Sequence, residues 1–207
     1  MMTTLSRRAI LAFALTLPLP ILPASAAANA AEQFVADNIQ KGFELLNNKS
    51  LSPAQRRAQF EQFLLSIADM KRIAVFTLGN YRRTASPADL DAFYAAFQNY
   101  AVSVYQSYFA KYAGQTLKVT GSQERAPDDV IVRTQLIDPN DSSGQPPAEV
   151  DIRVRTDTGK PVVTDVAYAG VFLSLEERDQ FTAFLGQNGG NIRSLITHLN
   201  ELAKQYK

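Results

Sequence analysis

The sequence predicts an α+β fold: one domain in which a four-stranded antiparallel, curved sheet is wrapped on one face by helices. Three observations carry this reading. Apolar residues recur at helical spacing as far as Gly114, at a period of two from Leu117 to Tyr168, and at helical spacing again after Gly170. The joins between the strand runs (residues 124–128, 138–147 and 157–160) are short and rich in turn residues, which permits hairpins and leaves no room for crossover helices. Helices, a meander and helices again make the layered order of α+β domains, with no internal repeat and no linker.

Residues 1–26 read as a cleaved secretory signal. Arg7 and Arg8 form its charged region, residues 9–22 its apolar core, and Ala24-Ser25-Ala26 a small-residue cleavage site. The apolar core is too short to anchor in a bilayer. Arg7-Arg8 also suits the twin-arginine route, and Ala28-Asn29-Ala30 is a second cleavage site, so the expected domain is residues 31–207. Without residues 1–26 the chain has 21 − 2 = 19 basic and 20 acidic residues, a net charge of −1. Such a balance gives no bulk attraction to nucleic acid or to anionic membranes. The absence of Cys excludes disulfides and thiolate chemistry.

In chain order, Phe34, Val35, Ile39, Phe43 and Leu46 mark a first helix over 31–48. Ser52-Pro53 starts a second, with Phe60, Phe63, Leu64 and Ile67 on one face. Asp69 caps a short third helix that Gly79 ends in a left-handed turn. Ser86-Pro87 opens a fourth, over 87–112, whose apolar residues cover about half its circumference, whereas a surface helix needs an arc of about 100°. A helix this apolar must meet several neighbours, or a neighbour and a ligand. The strands follow around Leu117–Gly121, Val130–Leu136, Val150–Val154 and Val162–Tyr168, alternating apolar and charged, so that helices cover one face of the sheet. Ser174-Leu175-Glu176-Glu177 reads as a capping box for a fifth helix, broken by Gly186 and Gly189-Gly190, and a sixth starts at Asn191.

Catalytic constellations are sparse. The single His, His198, flanks the apolar stripe of the last helix, no G-x-S-x-G is present, and no His/Cys/carboxylate spacing suggests a metal. Residues 138–141 have part of the acidic pattern of a calcium loop but lack its Gly and bidentate Glu. No cofactor is expected.

Two stretches carry a resemblance. Asp69 to Pro87 reads D-x-x-x-I-A-x-F-x-L-G-x-Y-x-R-x-A-S-P, and Asp165 to Leu173 reads D-V-x-Y-x-G-V-x-L. With the closing helix around Ile192-Arg193-Ser194-Leu195-Ile196, these resemble the MlaC-like periplasmic phospholipid-binding proteins, the toluene-tolerance family, over nearly the whole chain after the signal. Where members of that family usually carry Trp after the Tyr, this chain has Arg82. The resemblance implies a non-enzymatic, monomeric carrier in the periplasm. Its cargo is a phospholipid ligand, passed between an inner-membrane MlaD-like ABC transporter complex and an outer-membrane lipoprotein/porin complex.

A lipid crossing water exposes chains at about 0.8 kcal/mol per CH₂, so a carrier needs an apolar cavity. The residues assigned to its lining are Phe76, Leu78, Tyr81, Phe93, Phe97, Tyr100, Val104, Tyr105, Tyr108, Val132, Val150, Ile152, Val166, Tyr168, Phe172 and Phe181. Lys71, Arg72, Arg82 and Arg83 form a basic cluster assigned to a headgroup or a partner surface. Two other readings stay open: a small isomerase or hydratase using Asp165 as base beside Tyr168 or Tyr105, and a protein-binding adaptor.

Overall fold

The structure, a computed structural model, describes residues 26–109 and 112–206. The charged and apolar parts of the expected signal lie outside these residues. Among the described residues six α-helices surround one sheet: α1 Ala26–Asn47, α2 Pro53–Ile67, α3 Met70–Thr77 and α4 Pro87–Phe109 precede it, and α5 Leu173–Gln187 and α6 Ile192–Gln205 follow. The strands β1 Thr116–Ala126, β2 Asp129–Ile137, β3 Glu149–Arg155, β4 Val162–Tyr168 and β5 Val171–Phe172 pair antiparallel in that order. The α+β reading therefore holds with one more strand than expected. β5 is only two residues long and folds back on β4 through Ala169 (φ 49°) and Gly170 (φ 83°). β1 also runs through residues 124–126, which the sequence placed in a join, and irregular pairing at Val119/Gly121 and Glu124/Ala126 bends it.

Most helix starts follow the sequence. Ser52 and Gln55 form a reciprocal capping box on α2, Asp69 accepts from Arg72 N at 3.0 Å on α3, and Ser86 accepts from Asp89 N at 3.1 Å on α4. The box expected at Ser174 does not form. Helix α5 begins two residues earlier, at Leu173 with Phe172 as its N-cap, and the Ser174 hydroxyl turns inward to donate to Asp165 on β4. Asp165 Oδ1 also accepts from Ser174 N at 3.2 Å and from Val166 N at 2.9 Å. A carboxylate from the sheet thus caps the first turn of α5, where the helix dipole favours negative charge. Gly186 lies inside α5 and does not break it.

Gly79 takes φ 54° and starts a 3₁₀ turn, Gly79–Arg83; a Cβ there would stand 3.1 Å from Thr182 on α5. Tyr81 enters the α5–α6 corner, where a Cβ on Gly190 would lie 3.2 Å from its ring. The L-G-x-Y motif is a close contact between the α3–α4 connection and α5.

The apolar interior is divided. Leu78, Phe93, Phe97, Phe181, Leu185, Leu195 and Leu199 make a helical core from α3 to α6. Ala31, Val35, Val130, Val132 and Val154 make a second core between α1 and the sheet. Ala68 bridges to Val163, and Asp69 N donates to Val163 O at 2.9 Å, which ties the α2–α3 joint to the edge of β4.

At one end of the sheet Asp129, 5% exposed, receives both Arg153 Nε (2.8 Å) and Nη2 (2.7 Å), with Arg155 Nη1 at 3.5 Å. The Arg153 hydrogen bonds hold its carboxyl below the usual carboxylate range. A lowered folded-state pKa stabilises the protein above the unfolded value and loses that contribution as pH falls through the folded one. Asp129→Asn is expected to cost about 1.5–3 kcal/mol at neutral pH. It should also flatten the decline of stability below about pH 4. Urea midpoints measured from pH 7 down to pH 3 check both, and a variant with an unchanged acid limb refutes the assignment.

Candidate functional site: a cavity between two cores

The two cores do not fuse, and a cavity of about 440 Å³ lies between them. Phe97, Tyr100, Ala101, Val104, Tyr105 and Tyr108 of α4 form one wall. Ile152, Val163, Asp165 and Val166 of β3 and β4 form the opposite one. Leu64 and Ile67 of α2, Ala68, and Met70 and Ile73 of α3 close a side. Leu173, Ser174, Glu176, Glu177 and Gln180 of α5, with Tyr206, complete the ring. Tyr108 (63% exposed), Tyr206 (41%) and the exposed Glu176 mark the opening. A second space of about 180 Å³, lined almost wholly by apolar side chains of α1 and α2, shares Ile67, Ile152 and Val163 with the first.

Polar groups gather on the α5 side. Tyr100 donates to Glu177 Oε1 at 2.9 Å, while Glu177 Oε2 is buried with no hydrogen-bond partner. Burial pushes the Glu177 carboxyl up, and the Tyr100 bond opposes the shift. Burial, with Glu177 beside it, raises the Tyr100 phenol well above its ordinary value. Burial pushes Tyr105 up to about 12, helped by Asp165 and Glu177. Among the described residues no Lys, Arg or His lines the cavity. His198 stacks on Phe184 with ring centroids 4.7 Å apart, away from this lining. Among the described residues no three His, Cys, Asp or Glu side chains are grouped so as to hold a metal ion. The arrangement is suited to enclosing an apolar body with one polar end.

The family model described as MlaC protein matches residues 36–201. This chain belongs to the MlaC family. A solved structure of similar fold is the phospholipid-binding protein from Ralstonia solanacearum, in complex with a phospholipid. The two share 22% identity with a TM-score of 0.69, and the match covers 88% of this chain and 99% of that one.

In this MlaC-family chain seven of the residues assigned to a lining stand in the cavity wall: Phe97, Tyr100, Val104, Tyr105, Tyr108, Ile152 and Val166. The others are placed elsewhere. Leu78, Phe93 and Phe181 are buried in the helical core, because α5 and α6 pack against the N-terminal half of α4. Tyr81 fills the α5–α6 corner, and Val132 belongs to the sheet core under α1. Val150 is paired between Thr134 and Tyr168 on the sheet. Tyr168 is two residues past Val166 and 53% exposed at the β4–β5 turn, and Phe172 occupies the N-cap position of α5. Phe76 lies outside, with the Arg178 guanidinium 5.0 Å from its ring centroid.

The basic cluster is not at the cavity either. Arg72 pairs with Asp157 at 3.0 Å and Asp69 at 3.3 Å, and Lys71 sits 5.2 Å from the Tyr94 ring centroid. Lys71, Arg72 and Arg82 line a shallow groove with Val75 and Phe76 on the far side of α3, and Arg83 is exposed. A headgroup role for these four is thus not supported by their position.

Sequence reasoning did not assign Leu64, Ile67, Met70, Ile73, Val163, Leu173, Glu176, Glu177, Gln180 or Tyr206 to the site. A signal was present for the α5 group: Leu173, Glu176, Glu177 and Gln180 follow i, i+3, i+4, i+7 and so share one helix face.

Proposed function

We propose that this protein is a periplasmic phospholipid carrier that receives and delivers diacyl lipids between an inner-membrane ABC transporter complex and an outer-membrane complex. One observation carries the reading: a cavity with mostly apolar walls and a polar rim, left open between two otherwise close-packed cores. Membership of the MlaC family and the phospholipid held by the Ralstonia protein of like fold support it. Acyl chains inside the cavity are shielded from water while the headgroup stays at the rim. No helix among the described residues is long and apolar enough to cross a membrane, consistent with a carrier that moves through water. Arg82 and Arg83, exposed beside the groove on α3, are assigned to partner docking.

The isomerase reading loses ground on Asp165. Its oxygens already accept three hydrogen bonds that fix β4 to the start of α5. Of about four acceptor sites on a carboxylate this leaves one for a substrate, on a side chain already fixed in place.

The test is to export the full chain in a heterologous host, purify it without added lipid, and examine it by native mass spectrometry, lipid extraction and N-terminal sequencing. A stoichiometric diacyl lipid on a protein starting near residue 27 or 31 is expected. Folded protein with no lipid, or a full-length chain in the cytosol, refutes the reading.

A further inference from the structure

We infer that the cavity selects lipids by headgroup, favouring a net-neutral headgroup that carries an ammonium over a net-anionic one. The inference deepens the carrier reading and rests on it. Its basis is the polar rim. Glu177 offers a buried carboxylate oxygen, Oε2, that no donor among the described residues satisfies, while Oε1 is already taken by Tyr100 at 2.9 Å. An unsatisfied buried acceptor costs free energy until a donor reaches it, and an acceptor on a carboxylate costs most. Here that oxygen belongs to a residue of the cavity ring, close to an opening through which a headgroup must project.

The cations nearest in sequence or pairing are occupied. Arg178 stacks on Phe76 and reaches Asp179, and Arg153, opposite Asp165 in the β3–β4 ladder, is held by both oxygens of Asp129. With Asp165, Glu176 and Glu177 in the lining and no basic residue there among the described residues, a headgroup of net negative charge meets carboxylates. A primary ammonium brings three N–H donors and a positive charge. One donor reaches Glu177 Oε2, and the others are within the chemistry of Glu176 and the Gln180 side-chain carbonyl. A headgroup with both a phosphate and an ammonium is neutral overall, so its phosphate can face solvent while its amine turns to the rim.

The experiment incubates the delipidated, folded protein with vesicles holding equal amounts of phosphatidylethanolamine and phosphatidylglycerol with matched acyl chains. Re-isolated protein is analysed for total lipid and for the ratio of the two. Wild type should show a bias to the ethanolamine lipid of about tenfold, the discrimination expected of one half-buried charge interaction. Glu177→Gln, which keeps the size and an acceptor for Tyr100, should bring the ratio close to one. Should that variant fail to fold, the wild type still decides the matter, because a charge-based bias shrinks as salt is raised. A wild-type ratio near one, a bias indifferent to salt, or a bias kept in Glu177→Gln overturns the inference while the carrier reading stands. Uptake of neither lipid by folded wild type overturns the carrier reading and this inference with it.

Discussion

Replacing Val104 by Glu is expected to strip the protein of lipid while leaving it folded. Val104 is half-buried in the middle of the α4 wall, between Tyr100 and Tyr108 along the helix, and its side chain meets the cavity. A carboxylate there lies unpaired against acyl chains or takes up a proton, and each outcome costs several kcal/mol of binding. At about 1.4 kcal/mol per factor of ten, lipid occupancy should fall by ~100-fold or more. Without lipid the new carboxylate faces an open, solvent-accessible space, so folding bears little of that cost. Extracted lipid per protein, set beside the melting transition of delipidated wild type and variant, separates the two effects. A variant that keeps its lipid, or one that unfolds, refutes the assignment of this space to acyl chains.

Phe93→Ala is expected to do the reverse. Phe93, two turns or more before Val104 on the same helix, is 0% exposed and packs edge-on to Phe181 with centroids 6.4 Å apart. Removing it opens a void among Phe97, Phe181 and their neighbours that the rigid ring of helices cannot close, at a cost of about 3–5 kcal/mol. That is a large part of the roughly 5–15 kcal/mol that holds a domain of this kind together. The urea midpoint should fall sharply. Val104→Ala, which only enlarges an existing space, should move it far less. Equal losses for the two substitutions would mean that the core and the cavity are not distinct along α4.

That distinction is what the sequence could not supply. Phe93 and Val104 lie on one apolar arc, and periodicity reports only that both avoid water. Whether a neighbour or an empty space sits opposite is decided by α5 and α6, which are far away in sequence and pack on α4 up to about Tyr100. The local signals were far more legible. The change of period around Gly114, the Ser52 and Ser86 caps and the left-handed Gly79 act over a few residues, so the sequence states them almost directly. Where a tertiary partner intervenes, the local rule fails. Ser174 forgoes its capping box because Asp165 of β4 already serves the α5 terminus and accepts the Ser174 hydroxyl as well. Within the basic cluster Arg72 is likewise drawn to Asp157 on a turn 85 residues away, while it still lines one groove with Lys71 and Arg82.

The wall formed by α2 sets dwell time apart from affinity. Of its 15 residues only Phe60 is fully buried, yet Leu64 and Ile67 face the larger cavity and Phe60, Phe63 and Ile67 the smaller one. An element held by so little buried surface opens locally at a small fraction of the free energy of global unfolding. In the proposed carrier the depth of burial inside the cavity would govern how strongly a lipid is held, and the lifting of α2 how often it could leave. A transport protein gains from this separation, because it can bind tightly enough to cross water and still hand over its load without unfolding.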